Sequence, residues 1–223
     1  MTTGRFITFE GGEGAGKSTQ VRLLAERLTA AGLATVVTRE PGGTPFAEKV
    51  RDLILAPESA PKAPLAEALL FSAARADHLD QLIRPALARG DWVISDRFSD
   101  STRAYQGAAG GLAPHTISDI ERLALGDTQP HLTLVLDLDP KVGLARANQR
   151  RGAHSPGAWV VTDTFEGRDL DFHIRLRQGF LDIARAEPAR VAVIDAFQNQ
   201  LAIADAVWAI VAERLGPLTQ KAG

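Results

Sequence analysis

Apolar residues follow two rhythms along the chain. Short, nearly unbroken runs of Val, Ile, Leu and Phe occur at RFITFE (5–10), ATVVT (34–38), DWVIS (91–95), LTLVLDL (132–138) and RVAVID (190–195). Between them, apolar positions recur at helical spacing near 17–31, 46–55, 65–89, 114–125, 140–151, 168–186 and 199–214. The unbroken runs predict strands covered on both faces, since a half-exposed strand would alternate. The spaced positions predict amphipathic helices. Strand and helix take turns along the chain, which predicts a parallel sheet between two helical layers, a three-layer α/β fold. Ligands of such sheets sit beyond the carboxyl ends of the strands. Five segments fall there: GGEGAGKST, REPGGT, DRFSDST, the residues after LVLDL, and DAFQ.

The first of these is almost bare of side chains. Gly11, Gly12, Glu13, Gly14, Ala15, Gly16, Lys17, Ser18 and Thr19 follow directly on a predicted strand. Glycine is costly to order and is kept where backbone bends sharply or comes close to a ligand. Gly11, four residues, then Gly16, Lys17 and Ser18 match the phosphate-binding loop, whose amides wrap an oxyanion while the lysine reaches terminal phosphates and the serine meets Mg²⁺. Val21, Leu24, Leu28 and Ala31 then recur at helical spacing up to Gly32, a C-cap candidate. The loop therefore feeds a helix whose N-terminal dipole also favours an anion. Taken alone, this is compatible with a motor, a switch GTPase, a transporter ATPase or a small kinase.

Other segments narrow the choice. DWVISDRF ends a strand in Asp96 and Arg97, a carboxylate suited to hydrated Mg²⁺ beside a guanidinium suited to a second phosphate. TREPGGT is either turn punctuation or a ligand edge carrying Arg39 and Glu40. Phe71 and Arg75 share a helix face at i and i+4; the ring is either core or one wall of a slot for a flat base. STRAYQG (101–107) gathers hydroxyls, a phenol and an amide and reads as a specificity pocket. The five histidines show no metal-ligand spacing and read as structural or exposed.

Composition removes several classes. A chain of 223 residues can bury one substantial core, so one domain over 1–223 is expected. Its 25 basic and 27 acidic residues leave a net charge of -2, which proposes neither nucleic acid nor an acidic membrane as partner. Having no cysteine, it can form neither disulfides nor thiolate metal sites, as suits a reducing cytoplasm. No apolar run approaches a membrane span, and the run after MTTGR is too short for a signal peptide. RGAHSPGAWVVTDTFEG (151–167 in a region of about 150–168) is either a surface loop or a lid, and the end from about 216 to 223 reads as a frayed tail.

The joint pattern FEGGEGAGKSTQ, TREPGGT, LLFSAARADH, SDRFSDSTRAYQG and LDLDP-K-GLARA, in this order, closely resembles the bacterial thymidylate kinases over roughly residues 5 to 213. The resemblance implies a P-loop kinase fold with a five-stranded parallel sheet, a homodimer, and conversion of ATP and dTMP to ADP and dTDP. It gives Lys17 and the loop amides to ATP phosphates, and Ser18 to Mg²⁺. Glu13 falls near the acceptor's sugar hydroxyl. Arg39, Arg51 and Arg97 correspond to the positive surroundings of the acceptor phosphate. Phe71 corresponds to the ring stacked on thymine, Arg75 to the donor for a thymine carbonyl, Tyr105 to the ring that crowds the sugar's 2' position, and Thr102 and Gln106 to the base-pocket lining.

One departure stands out. Glycine at position 14 points to the variant of the family whose catalytic arginine lies in the lid, yet the lid motif reads Asp163, Thr164, Phe165, Glu166, with threonine where arginine is expected. The segment before it is enlarged. Arg150, Arg151 or Arg168 is therefore expected to supply the missing charge. Two other readings stay open: a kinase for another acceptor such as dUMP, and a nucleotide-dependent switch, although the chain lacks an Asn-Lys-x-Asp guanine signature.

Overall fold

The computed structural model describes residues 4–56, 63–152, 165 and 167–218. Most of the 150–168 region, including Asp163, Thr164 and Glu166, and the last residues of the tail lie outside these. So do the side chains of Arg150 and Arg151.

Five parallel strands form one sheet in the order β2-β3-β1-β4-β5: β1 (Arg5–Glu10), β2 (Thr35–Arg39), β3 (Trp92–Asp96), β4 (Leu132–Asp137) and β5 (Val191–Asp195). The three inner strands are buried on both faces, as their unbroken apolar runs predict. Edge strands differ. Val37 on β2 is 51 % exposed and Val193 on β5 is 44 % exposed, because an edge strand has helices covering only part of its width.

The helices are α1 (Lys17–Ala30), α2 (Pro45–Leu55), α3 (Pro64–His78), α4 (Arg84–Arg89), α5 (Ser99–Thr102), α6 (Pro114–Leu125), α7 (Pro140–Gly152), α8 (Leu170–Ala186) and α9 (Gln200–Leu215). On one face of the sheet, Val21, Leu24 and Leu28 of α1 and Ile203, Val207 and Val211 of α9 meet Ile7 and Phe9. On the other, Phe172, Leu176 and Phe180 of α8 pack with Tyr105 and Val135, while Phe6, Val93 and Phe98 meet Leu79 and Ile83. Gly32, one residue past the α1 cap, takes φ 82°, which ends the helix where the sequence places its stop.

Two departures from regular helix bear on the site. The predicted helix over 65–89 forms, but it widens into a π-helical turn at Leu79–Ile83 between α3 and α4. Pro85 has no N–H for an α-type bond and its ring crowds the preceding turn, so the helix loosens just before it. The stretch after α5 also winds as a π-helix, Arg103–Ala109, where the sequence shows only a cluster of polar side chains.

Parallel register sets the ligand edge. Phe9 and Arg39 both pair with Asp96, and Glu10 pairs with Val135. The ends of β1, β2 and β3 thus finish level, and the loops that follow them open on one side.

Candidate active site

Tight backbone contact makes the phosphate loop. A Cβ on Gly14 would lie 2.1 Å from the Gly143 carbonyl at the start of α7, and its φ of 68° is left-handed. A Cβ on Gly11 would lie 2.5 Å from the Leu136 carbonyl. Only glycine lets the loop curl this closely against β4 and α7. Gly16 caps α1 with φ 91° and no side-chain bond, so the first amides of α1 face the loop without a capping oxygen. Such an end is suited to an anion. Lys17 is 8 % exposed and its Nζ donates to the carbonyls of Gly11 (3.1 Å) and Gly12 (2.9 Å). Burial, and then the Arg97 charge, lower its ammonium below the ordinary value.

Ser18 Oγ donates to Asp96 Oδ2 at 2.6 Å, joining the end of β1's loop to the end of β3. Both are hard oxygen donors, which fits Mg²⁺. Among the described residues no cluster of three or more His, Cys, Asp or Glu could cage a metal. A serine and one carboxylate suit an ion that keeps waters and substrate oxygens in its shell.

Arg97 is the one non-glycine with positive φ among the described residues, at 72°. This strained turn aims its guanidinium back over the loop, where it donates to the Gly11 carbonyl (3.2 Å) and Glu13 Oε1 (2.8 Å) and stands 5.0 Å from the centre of the Tyr105 ring. Tyr105 donates its hydroxyl to the same Glu13 oxygen at 2.5 Å. Burial would raise the Glu13 carboxyl, but Arg97, then Lys17 and the Tyr105 hydroxyl outweigh it and hold it down to about 2.

These groups open into a cavity of about 390 Å³ whose lining also includes Arg39, Arg51, Phe71, Arg75, Thr102, Tyr105 and Gln106. The structure thus brings together every substrate-binding residue expected from the sequence, along with Lys17, Ser18 and Asp96. Within the phosphate loop, Glu13, Gly14, Gly16 and Thr19 also line it; Gly11, Gly12 and Ala15 shape it from behind. Arg51 holds the Pro41 carbonyl at 2.9 Å. Arg39, at the end of the edge strand, leans outward and is shared with both Glu48 oxygens at 3.0 Å, so it stands on the rim. Phe71 faces the cavity and meets Phe165 at 5.9 Å.

Arg168 stands elsewhere than expected. It ion-pairs with buried Glu67 at 2.5 Å and lies over the rings of Phe165 and Phe172, at 4.9 and 4.5 Å. It is not part of the cavity lining. Glu67 also receives the amide of Gln106, a residue of the cavity lining, at 3.0 Å, so Arg168 is tied behind that lining rather than reaching the phosphate loop. The physical reason is local: a guanidinium beside two aromatic rings and a carboxylate with 3 % side-chain exposure has its charge already matched.

Several further residues shape the cavity without a motif that singles them out. Phe165 closes the cavity against Phe71 and Tyr105, yet its motif draws notice only for the arginine it lacks. Glu10, fully buried at the end of β1, accepts from Phe98 N (2.8 Å), Ser101 N (3.2 Å) and Ser101 Oγ (2.6 Å) and so pins the segment that follows Arg97. Burial, and then Asp100, push its carboxyl up to about 7. A lone acid closing an otherwise apolar strand was the available signal.

Comparison with known proteins decides what the arrangement is. The family described as thymidylate kinase matches residues 9–207. The chain belongs to the thymidylate kinase family. A family member from Caulobacter vibrioides is 52 % identical over 216 residues, covering 97 % of this chain and all of that one. Another from Bradyrhizobium diazoefficiens is 51 % identical over 214 residues, covering 96 % and 91 %. The crystal structure of thymidylate kinase from Ehrlichia chaffeensis superposes with a TM-score of 0.74 at 33 % identity, covering 94 % of this chain and 98 % of that one. Like the family, the chain is an ATP-dependent nucleoside monophosphate kinase with the P-loop kinase fold. No helix among the described residues is long and apolar enough to cross a membrane.

Proposed function

We propose that this family member transfers the γ-phosphoryl group of ATP to dTMP, giving ADP and dTDP, in the cytoplasm, within a single domain over 1–223. The observation that carries the reading is one cavity lined both by the phosphate loop and by Phe71, Arg75 and Tyr105.

The chemistry needs no general base. A phosphate monoester has its second pKa near 6, so the acceptor is largely a dianion at neutral pH and already a nucleophile. The barrier is repulsion between two polyanions, about 4 kcal/mol for unit charges at about 4 Å and an effective dielectric of about 20. Lys17 lies where it can leave the loop carbonyls for the donor's terminal phosphates. Arg97, held between Glu13 and the Gly11 carbonyl, offers its charge to the acceptor phosphate. Ser18 and Asp96 would hold Mg²⁺, which neutralises phosphate charge when bound. Phe71 offers a ring face to the base and Arg75 its donors. Glu13, ionised by its neighbours, takes a sugar hydroxyl, and Tyr105 crowds the 2' position. With Arg168 engaged behind the wall, Arg150 and Arg151 at the end of α7 are the candidates for the lid charge.

A homodimer is proposed through α2, α3 and α6, where Phe46, Leu53, Leu65, Leu69 and Leu123 leave 44–77 % of their surface exposed. Light scattering on a Leu69→Glu variant checks this, with a monomer as the expected result.

The test of function is ADP release from ATP and Mg²⁺ with dTMP, dUMP, the ribo form of TMP, dGMP, AMP, thymidine or no acceptor, at matched concentrations. Strong preference for dTMP is expected. Equal release without acceptor would instead mark a nucleotide hydrolase or switch.

A further inference from the structure

Behind the acceptor wall runs a buried chain of polar groups that phosphoryl transfer itself leaves unused. Arg75 is 2 % exposed. Its Nε donates to Glu40 Oε2 at 2.7 Å, one terminal nitrogen to Thr102 Oγ1 at 3.1 Å, and the other to the Phe98 carbonyl at 3.0 Å. The second Glu40 oxygen meets His78 Nδ1 at 3.0 Å, and His78 Nε2 meets Thr38 Oγ1 at 2.7 Å. His78 has no exposed surface and Glu40 is 5 % exposed.

The order of donors is dictated by chemistry. A carboxylate only accepts, so His78 carries its proton on Nδ1, and in the neutral ring Nε2 accepts from the Thr38 hydroxyl. Of the five N–H donors of a guanidinium, three of Arg75's are committed to Glu40, Thr102 and Phe98. The two that remain, one on each terminal nitrogen, belong to a side chain that lines the cavity. Rotation of the Arg75 plane would misdirect those donors, and the Nε–Glu40 bond, reaching in from the loop after β2, holds that plane together with the Thr102 and Phe98 bonds. The other oxygen of the Glu40 carboxylate is held by His78.

The same histidine locks the loop that carries Glu40. A Cβ on Gly43, whose φ is 89°, would stand 2.5 Å from His78 Nε2 and 2.6 Å from Thr38 Oγ1, so the REPGGT turn lies directly on the imidazole. One residue on, Thr44 Oγ1 donates to Asp77 Oδ2 at 2.5 Å and also caps α2 at Ala47 N. The loop after β2 is therefore registered on the end of α3 by consecutive residues, Asp77 and His78. A buried ion pair of this kind adds little net stability compared with apolar packing, which leaves orientation as its distinctive effect.

We infer that His78 is a positioning residue for acceptor recognition: through Glu40 it holds the Arg75 guanidinium plane in the orientation that meets the acceptor's base. This rests on the reading of Arg75 as a base donor given above.

Two substitutions separate orientation from simple filling. His78→Asn places an amide where Nδ1 stands and keeps a donor for Glu40 but abandons Thr38. His78→Gln reaches the Nε2 position, keeps Thr38 and abandons Glu40. The measurement is KM for dTMP and for ATP, together with the dTMP Kd from calorimetry and Tm for each protein. His78→Gln is expected to raise both dTMP constants about tenfold, the effect of misdirecting one charge-assisted contact, with KM for ATP within about twofold. His78→Asn is expected to restore dTMP binding to near wild type despite a lower Tm. Glu40→Gln, which keeps the shape but not the charge, should follow His78→Gln. Equal dTMP defects in the Asn and Gln variants, or an ATP defect as large as the dTMP one, would overturn the inference. Wild-type ADP release that ignores dTMP would instead overturn the functional reading, and the inference with it.

Discussion

The phosphate loop and the wall proposed to take the acceptor line one cavity but are made of different material. The loop is one contiguous stretch that works mainly through backbone: left-handed glycines, uncapped amides at the start of α1, and two side chains, Lys17 and Ser18. The wall gathers side chains from β2's loop, α2, α3, the α5 and π-helical stretch, and Phe165, held by buried pairs such as Arg75–Glu40 and Arg168–Glu67. A backbone site has its geometry written in residue spacing. A side-chain site depends on distant partners, and each binding group needs a second group behind it to set its angle.

If that contrast is right, damage on the loop side should abolish turnover with little effect on acceptor binding. Lys17→Ala is expected to lower kcat by about 10³-fold or more while the dTMP Kd, read by calorimetry, moves by less than about threefold. A comparable loss of dTMP affinity would erase the distinction.

The lid arginines test where the boundary lies. At least one of Arg150→Ala and Arg151→Ala is expected to lose about 10³-fold in turnover by analogy with arginine fingers, whereas Arg168→Ala should act mainly on KM for dTMP, through Glu67 and Gln106. Steady-state kinetics of the three variants decides it. Near-normal turnover in all three would remove the idea that a neighbouring arginine replaces the one missing at Thr164.

The smallest effect concerns two acids a few residues apart that bear opposite relations to pH. Glu13 is held down from 4.5 to about 2 by Arg97 and its neighbours against burial. It therefore contributes stability above about 4.5 that fades as pH falls toward 2, on the order of 3 kcal/mol in full. Glu10 is pushed up from 4.5 to about 7 by burial and Asp100. Its contribution is complete below 4.5 and is lost as pH rises through 7. Denaturant melts across pH should show the wild-type advantage over Glu13→Gln shrinking on acidification, and Glu10→Gln gaining on wild type from pH 5 to 8. The same slope for both variants would contradict this account of the two carboxyls.

Much of this was legible in the residues. Five apolar runs marked five strands to within a residue or two at each end, since burial on both faces permits little else. GGEGAGKST announced its loop, and Asp96–Arg97 its place, because glycine, charge and a strand end occurring together have few other uses. The widened turns at Leu79–Ile83 and Arg103–Ala109 were not legible: they depend on a proline's missing donor and on packing against α8.

What the sequence by itself determined is thus the layered α/β frame, the phosphate loop and the identity of the side chains that line the cavity. Tertiary structure alone decided which of those side chains are offered to a ligand and which are held behind it. Arg39 was turned to the rim by Glu48, Arg168 was taken by Glu67 and two rings, and Glu40 became the link between His78 and Arg75. The reason is physical. Local spacing sets the period of a strand or the curl of a loop, but a charged side chain points toward its counter-charge, and here the counter-charges lie from 9 to 101 residues away in the chain.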